Sequence, residues 1–263
     1  MADENKPAHV QIESPKRHWR YLLEIFYAPR RVFNDLANIE VNAWRIPMLL
    51  LTALIILAAL AGGPARLQHT LMNLEQPPDD FLYWTPEQQN QFAEGQIAMQ
   101  GPLFTVIFPM IGSLAGLWLG WFLLSSILHL LMTLKGSRQS REAYLNFVAW
   151  AAVPFALRSL VQSVALLSTR QVINYPGLSG LISQQAGGWQ VYLGLVLELV
   201  DLYGIWFVIL LLVGSPIISD LKTSKAISTA LIALLIFIVL ALIPGIVRTQ
   251  LGGLGAVRPF IYF

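Results

Sequence analysis

The chain has 263 residues, of which 56% are hydrophobic and only 12% charged, and its mean hydropathy is +0.59; soluble domains carry about twice that charge. Seventeen Lys and Arg against 15 Asp and Glu leave a net charge of +2, which excludes a strongly basic nucleic-acid binder, and the absence of cysteine excludes disulfides, thiolate metal sites and cysteine nucleophiles. The fold class that remains is all-α, a polytopic membrane helix bundle.

Residues 1–43 are polar and charged with no cleavable signal, so they are expected to form a cytoplasmic segment. Its second half has helical periodicity. Trp19, Leu22, Leu23 and Phe26 fall at i, i+3, i+4 and i+7, Pro29 restarts a helix, and Val32, Phe33, Leu36 and Ile39 resume the stripe. Lys16, Arg17, Arg20, Arg30 and Arg31 flank both stripes. Two arrangements are open: interfacial helices whose basic residues meet anionic headgroups while the aromatics enter the acyl boundary, or helices that pack under the bundle.

A helix needs about 20 apolar residues to cross a hydrocarbon core of roughly 30 Å. Five runs qualify, at about 44–63, 102–134, 143–167, 189–214 and 226–247, giving a membrane domain over 44–247 and an external tail over 248–263. As one straight helix the second run would be about 50 Å long, so it is expected to break near Pro109 or to protrude. Between the first two runs, Glu75, Asp79, Asp80, Glu87 and Glu94 face only Arg66. Thr85 as N-cap, Pro86 at the first helical position and Gln88 at capping-box spacing predict a helix from Pro86 toward Met99. No EF-hand spacing accompanies the acids, which favours a solvated acidic loop over a calcium site.

Gly112, Gly116 and Gly120 place a glycine at every fourth residue of span two. Small residues let helices approach closely where lipid supplies little hydrophobic drive, so these three form a candidate packing seam, intramolecular in preference to a homodimer face. Further along, Arg158 shares a face of span three with Pro154 and Gln162, and Glu198 and Asp201 share a face of span four. Counting residues from the span ends puts Arg158 and Glu198 at one depth, roughly 13 Å in. An intramembrane charge is expensive alone. Pairing of Arg158 with Glu198, and Asp201 as the second candidate, is therefore expected, as a structural clasp in preference to an ion or proton path.

His129 has no His or carboxylate one turn away, and the chain lacks GxSxG, Walker, HExxH and strand-linked GxGxxG motifs, so no enzyme, metal site or cofactor is indicated. Twelve of the Lys and Arg residues fall before span one or at its edge (Arg45), after span two or after span four, against four on the other side. Cytoplasmic segments retain basic residues, which predicts the N-terminus inside and the C-terminus outside.

Several segments then resemble one family. Tyr27-Ala-Pro-Arg-Arg-Val-Phe-Asn-Asp-Leu36 resembles the stretch before the first span in the bacterial branch of the Yip (Ypt-interacting protein) family. Tyr144-Leu-Asn-Phe-Val-Ala-Trp-Ala-Ala-Val-Pro154 is similar to that branch's third span, Val200-Asp-Leu-Tyr-Gly-Ile-Trp206 to its fourth, and Ser224-Lys225-Ala226 to the start of its fifth. The resemblance implies a five-span protein with the N-terminus inside, placed in the bacterial cytoplasmic membrane. Eukaryotic members bind Rab-type GTPases and act in vesicle traffic and membrane shaping. Their Asp-Leu-Tyr-Gly-Pro motif precedes span one, whereas Asp201-Leu-Tyr-Gly204 here lies in span four before Ile205, so Rab binding is not carried over. The expectation is a non-enzymatic scaffold or organiser that shapes membrane or assembles a partner complex. Its partners would be anionic membrane lipids, another membrane protein or a second copy, with no nucleic acid. A small-solute or ion transporter using Arg158, Glu198 and Asp201 is the alternative, unsupported by any internal repeat.

Overall fold

The computed structural model describes residues 18–37, 42–72, 74, 76–172, 176–182 and 189–251. Among these there are ten α-helices and no strand: α1 (His18–Tyr27), α2 (Pro29–Ala37), α3 (Arg45–Met72), α4 (Pro86–Met99), α5 (Phe108–Leu134), α6 (Arg141–Ala151), α7 (Pro154–Thr169), α8 (Trp189–Glu198), α9 (Leu202–Ser219) and α10 (Thr223–Leu251). Five segments are long and apolar enough to cross a membrane: Arg45–Met72, Leu103–Leu134, Arg141–Thr169, Leu202–Ser219 and Thr223–Val247.

Prolines account for two of the irregularities in these segments, at Pro109 and Pro154, because each removes the N–H that would close the preceding turn. Span one does not stop at residue 63; α3 runs on through Pro64 to Met72, since the sequence beyond the proline still favours helix. In span two Pro109 cannot donate to Thr105, and a π turn, Leu103–Ile107, takes up the extra residue before α5. Span three is divided at Ala152–Val153, where Pro154 opens α7. The expected single span over 189–214 is also divided: α8 ends at Glu198, and Asp201 caps a new helix. Periodicity missed this break because both halves are apolar.

The spans close a ring in which α3 packs on α7, α7 on α9, α9 on α10, α10 on α5 and α5 on α3. Inside the ring, at the end nearest the N-terminal helices, α6 fits between α5 and α9 with nearly every residue from Ala143 to Ala151 buried. The densest core is therefore at this N-terminal face. Leu124, Leu128 and Met132 of α5, Leu210, Leu211 and Ile218 of α9, and Ala230 and Ala233 of α10 meet Phe147 and Trp150 there.

The helices α1 and α2 belong to that core. Val32, Phe33 and Leu36 are fully buried, Phe33 stacks edge-on against Phe147 at 5.2 Å, and Tyr21 stacks edge-on against Trp150 at 5.7 Å. Tyr21 also donates a 3.0 Å hydrogen bond to Asp35, tying α1 to α2. Trp150 Nε1 donates to Ala43 O at 3.2 Å, and the Trp44 N–H donates to Asn146 Oδ1 at 2.9 Å, so the start of α3 is pinned to the side of α6. The α2 stripe thus cannot enter the acyl boundary; aromatic rings of α6 offer it closer packing than lipid chains. On α1 the buried face is Tyr21, Glu24 and Ile25, leaving Trp19 and Leu23 of the expected stripe 60% and 72% exposed and Leu22 and Phe26 half-buried. Ile39, Lys16 and Arg17 lie outside the described residues.

At the opposite end, α4 projects from the bundle with no buried residue. Its capping box forms as the spacing predicts: the Gln88 N–H donates to Thr85 Oγ1 at 3.3 Å, and the Thr85 N–H donates to Gln88 Oε1 at 3.0 Å. Phe81, Trp84 and Phe92 cluster with ring centroids 5.4–5.9 Å apart, and Gln89 donates to the carbonyls of Phe81 and Trp84. Gly95 sits mid-helix with open space around it. Gly95→Ala is therefore expected to stabilise this helix by about 0.5–1 kcal/mol. Slower amide exchange in α4 is the readout, and unchanged exchange would count against an independently folded helix.

Candidate functional site: the ion pair between two helix breaks

Arg158 lies on the first turns of α7, just past the break at Pro154, and Asp201 is the residue that starts α9. Arg158 Nε is 3.0 Å from Asp201 Oδ2, and the two side chains retain 19% and 17% exposure. The other oxygen, Oδ1, accepts the Gly204 N–H at 2.7 Å, so one carboxylate both caps α9 and holds the guanidinium. The expected first partner was Glu198; the helix break turns Asp201 toward Arg158 instead. Glu198 ends α8 and is itself engaged in a polar or ionic contact.

The break is braced by the chain that precedes it. The Leu178 N–H donates to Leu197 O at 3.0 Å, satisfying one carbonyl at the end of α8. Gly177 adopts φ +61°, and a Cβ there would stand 2.7–2.8 Å from the carbonyl oxygens of Leu197, Glu198 and Val200. Only glycine meets both conditions. Before the break, Leu195 of α8 rests on Gly245 of α10.

A second cation, Arg66, lies where the sequence pattern indicates a loop. Arg66 lies within α3 and folds back over Gly62, where an added Cβ would be 2.8 Å from its Nη2. Its Nη1 donates to Ala59 O at 3.1 Å and to Thr105 O at 2.7 Å. Thr105 is the residue whose carbonyl Pro109 cannot serve, so the guanidinium replaces the missing N–H. The signal was in the sequence: an Arg just after Gly-Gly-Pro, and a proline four residues after Thr105. Arg66→Ala is expected to cost about 1–3 kcal/mol by stranding that carbonyl. Unfolding in mild detergent checks it, and wild-type stability would show that the carbonyl finds another donor.

Of the glycine seam, Gly120 faces Phe237 of α10, where a Cβ would lie 3.5 Å from the ring, and Gly112 and Gly116 are half-buried on the same helix. Arg20, Arg30 and Arg31 are exposed on the N-terminal helices, with Arg20 3.4 Å from buried Glu24. His129 packs 5.3 Å from the Tyr144 ring, its Nδ1 buried without a partner, and Tyr144 shares a 2.9 Å hydrogen bond with Ser137. The structure thus brings Arg158 and Asp201 together and leaves the glycines, the basic residues and His129 in separate places.

A family model described as the Yip1 domain matches residues 23–243. Neither a curated protein nor a solved structure gives a match. The matched range begins in α1 and ends in α10, so it takes in α2, the first four spanning segments, most of the fifth and both helix breaks. A chain built of five membrane-spanning helical segments and matched over that range is an integral membrane protein of the Yip1 family.

Proposed function

We propose that this protein is a non-enzymatic scaffold of the bacterial branch of its family. It sits in the cytoplasmic membrane with the N-terminus inside and the C-terminus outside. Its working surface is the N-terminal pair of helices, held against anionic lipid of the cytoplasmic leaflet, where it organises membrane or a partner complex. The observation that carries this reading is how α1 is fixed. With Tyr21 and Ile25 buried in the bundle, Trp19, Leu23 and Tyr27 form an exposed apolar stripe at four-residue spacing, beside exposed Arg20, Arg30 and Arg31. Exposed aromatic and basic residues on neighbouring helices suit the boundary between acyl chains and anionic headgroups. Lys16 and Arg17 add to the same charge in sequence.

The test uses the full chain, because an isolated peptide would also expose Val32, Phe33 and Leu36 and bind lipid through a face the bundle covers. A polarity-sensitive fluorophore on Leu23→Cys is expected to shift to the blue in discs of anionic lipid, and to lose that shift with salt or in the Arg20→Gln/Arg30→Gln/Arg31→Gln variant. Equal spectra in neutral and anionic discs at all salt concentrations would refute the electrostatic contact. Orientation is checked by impermeant thiol labelling: Gln139→Cys and Asn90→Cys should react from opposite sides, and labelling from one side would refute the proposed topology. Crosslinking in native membranes, followed by identification of what is captured, addresses the partner complex.

The break in span four favours a second reading, transport of an ion or small solute past Arg158, Glu198 and Asp201, since discontinuous helices at charged residues recur in transporters. Coupled flux into sealed vesicles that disappears in Asp201→Asn would select it over the scaffold.

A further inference from the structure

The chain between α7 and α8 turns back toward the ion pair. Helix α7 carries the backbone to Thr169, about 16 Å beyond Arg158 at roughly 1.5 Å per residue. Yet Leu178 bonds Leu197, and Gly177 lies against the carbonyls of Leu197, Glu198 and Val200, immediately before the Asp201 that holds Arg158. The backbone around Gly177 and Leu178, and again at Leu199–Asp201, is thus non-helical close to the depth of the pair.

That depth follows from span three, Arg141–Thr169, in which Arg158 is followed by eleven residues, about 16 Å of helix, before the outer end. Trp44 and Arg45 stand where span one begins, beside Trp150. Arg158 is about 12 Å further along span three than Trp150. Arg66, the cation near the far end of α3, is about 31 Å from Arg45, roughly one hydrocarbon thickness. Non-helical backbone at such depth is tolerated only where protein buries it or water reaches it. Arg158 and Asp201 are not fully buried, and Gln162, one turn further out on the Arg158 face, is half-buried. Lipid against a charged pair at this depth is unfavourable, whereas water is not.

We propose that the outer half of the bundle contains a water-filled vestibule, open on the side where α4 projects, lined by α7, the Gly177–Leu178 turn and the end of α8, and floored by Arg158 and Asp201. Its occupants are water and small polar solutes. It stands independently of the scaffold reading, since a hydrated vestibule is compatible with either a scaffold or a transporter.

Single cysteines in the full chain, reconstituted in sealed vesicles, test it with a membrane-impermeant cationic methanethiosulfonate. Glu94→Cys on α4 reports the side of the reagent, and Ile243→Cys, at an exposed apolar position of α10 near the level of α8, reports the lipid-facing rate. Gln162→Cys and Leu178→Cys are expected to react from the α4 side within about tenfold of Glu94→Cys, and Ile243→Cys about 100-fold more slowly, because the reactive thiolate forms in water and not in lipid. Rates at positions 162 and 178 as slow as at 243, or labelling only from the opposite side, would overturn the vestibule. A readout free of folding artefacts uses the unsubstituted protein in lipid discs, where hydroxyl radicals generated from local water should oxidise Leu178 and spare Ile243. Equal protection of the two side chains would overturn the proposal as well.

Discussion

Gly214→Val is expected to lower stability by at least about 3 kcal/mol and to release the N-terminal helices from the bundle. Gly214 is buried on α9 where α2 and α6 converge; a Cβ at that position would collide with the Phe147 ring and lie 2.9 Å from Phe33 Cδ2. Both rings are fully buried in the same aromatic contact, so neither can swing aside without dismantling it. Overpacked cores typically lose about 1–3 kcal/mol per offending group, and valine adds two methyl groups beyond the clashing Cβ. Reversible unfolding in mild detergent gives the magnitude. A reporter cysteine at Val32, fully buried in the wild type, gives the mechanism: it should be slow to label in the parent and fast in Gly214→Val. Phe147→Leu in the same chain is expected to recover part of the loss by opening the space. A valine variant as stable as the parent, with position 32 still protected, would show that α2 is not held through Gly214. Loss of the α1–α2 platform without loss of the bundle would also remove the proposed lipid contact, so the variant links packing to function directly.

Arg158→Leu should destabilise the bundle by about 3 kcal/mol, because it leaves the largely buried Asp201 carboxylate without its counter-charge. The companion change is Asp201→Asn, since asparagine keeps an oxygen for the Gly204 N–H and removes only the charge, whereas leucine would also uncap α9 at a further cost of about 1 kcal/mol. In a direct pair the double variant recovers much of the loss, and the cycle gives a coupling energy of about 1 kcal/mol or more. Additive effects would rule out direct pairing. Running Glu198→Gln in the same cycle separates the two acids: a smaller coupling with Arg158 than that of Asp201 is expected from the 3.0 Å contact. A vesicle flux assay on the same proteins distinguishes the functional readings. Rescued stability with abolished flux selects transport, and rescued stability with no flux in any variant favours the scaffold.

The features legible from sequence are those set by local composition and short periodicity. Five apolar runs follow from the thickness of a bilayer, and the α4 capping box from the side chains of Thr85 and Gln88 three residues apart. Arg158, Glu198 and Asp201 stood out because charge is rare inside such runs. Tertiary structure decided which acid faces Arg158, because that depends on a break at Leu199–Asp201 that is stabilised by Gly177 and Leu178, residues about twenty positions earlier in the chain. It also decided the fate of the N-terminal stripes: Val32, Phe33 and Leu36 are equally suited to lipid or to a protein core, and only the approach of Phe147 and Gly214 makes the core the tighter environment. The setting of Arg66 is hidden from the sequence for the same reason. A guanidinium two residues past a proline reads as a loop cation until another segment presents, in Thr105, a carbonyl that its own helix leaves to Pro109, which has no N–H. Hydropathy reports which residues leave water; the partner each one then meets is fixed by contacts between segments far apart in the chain.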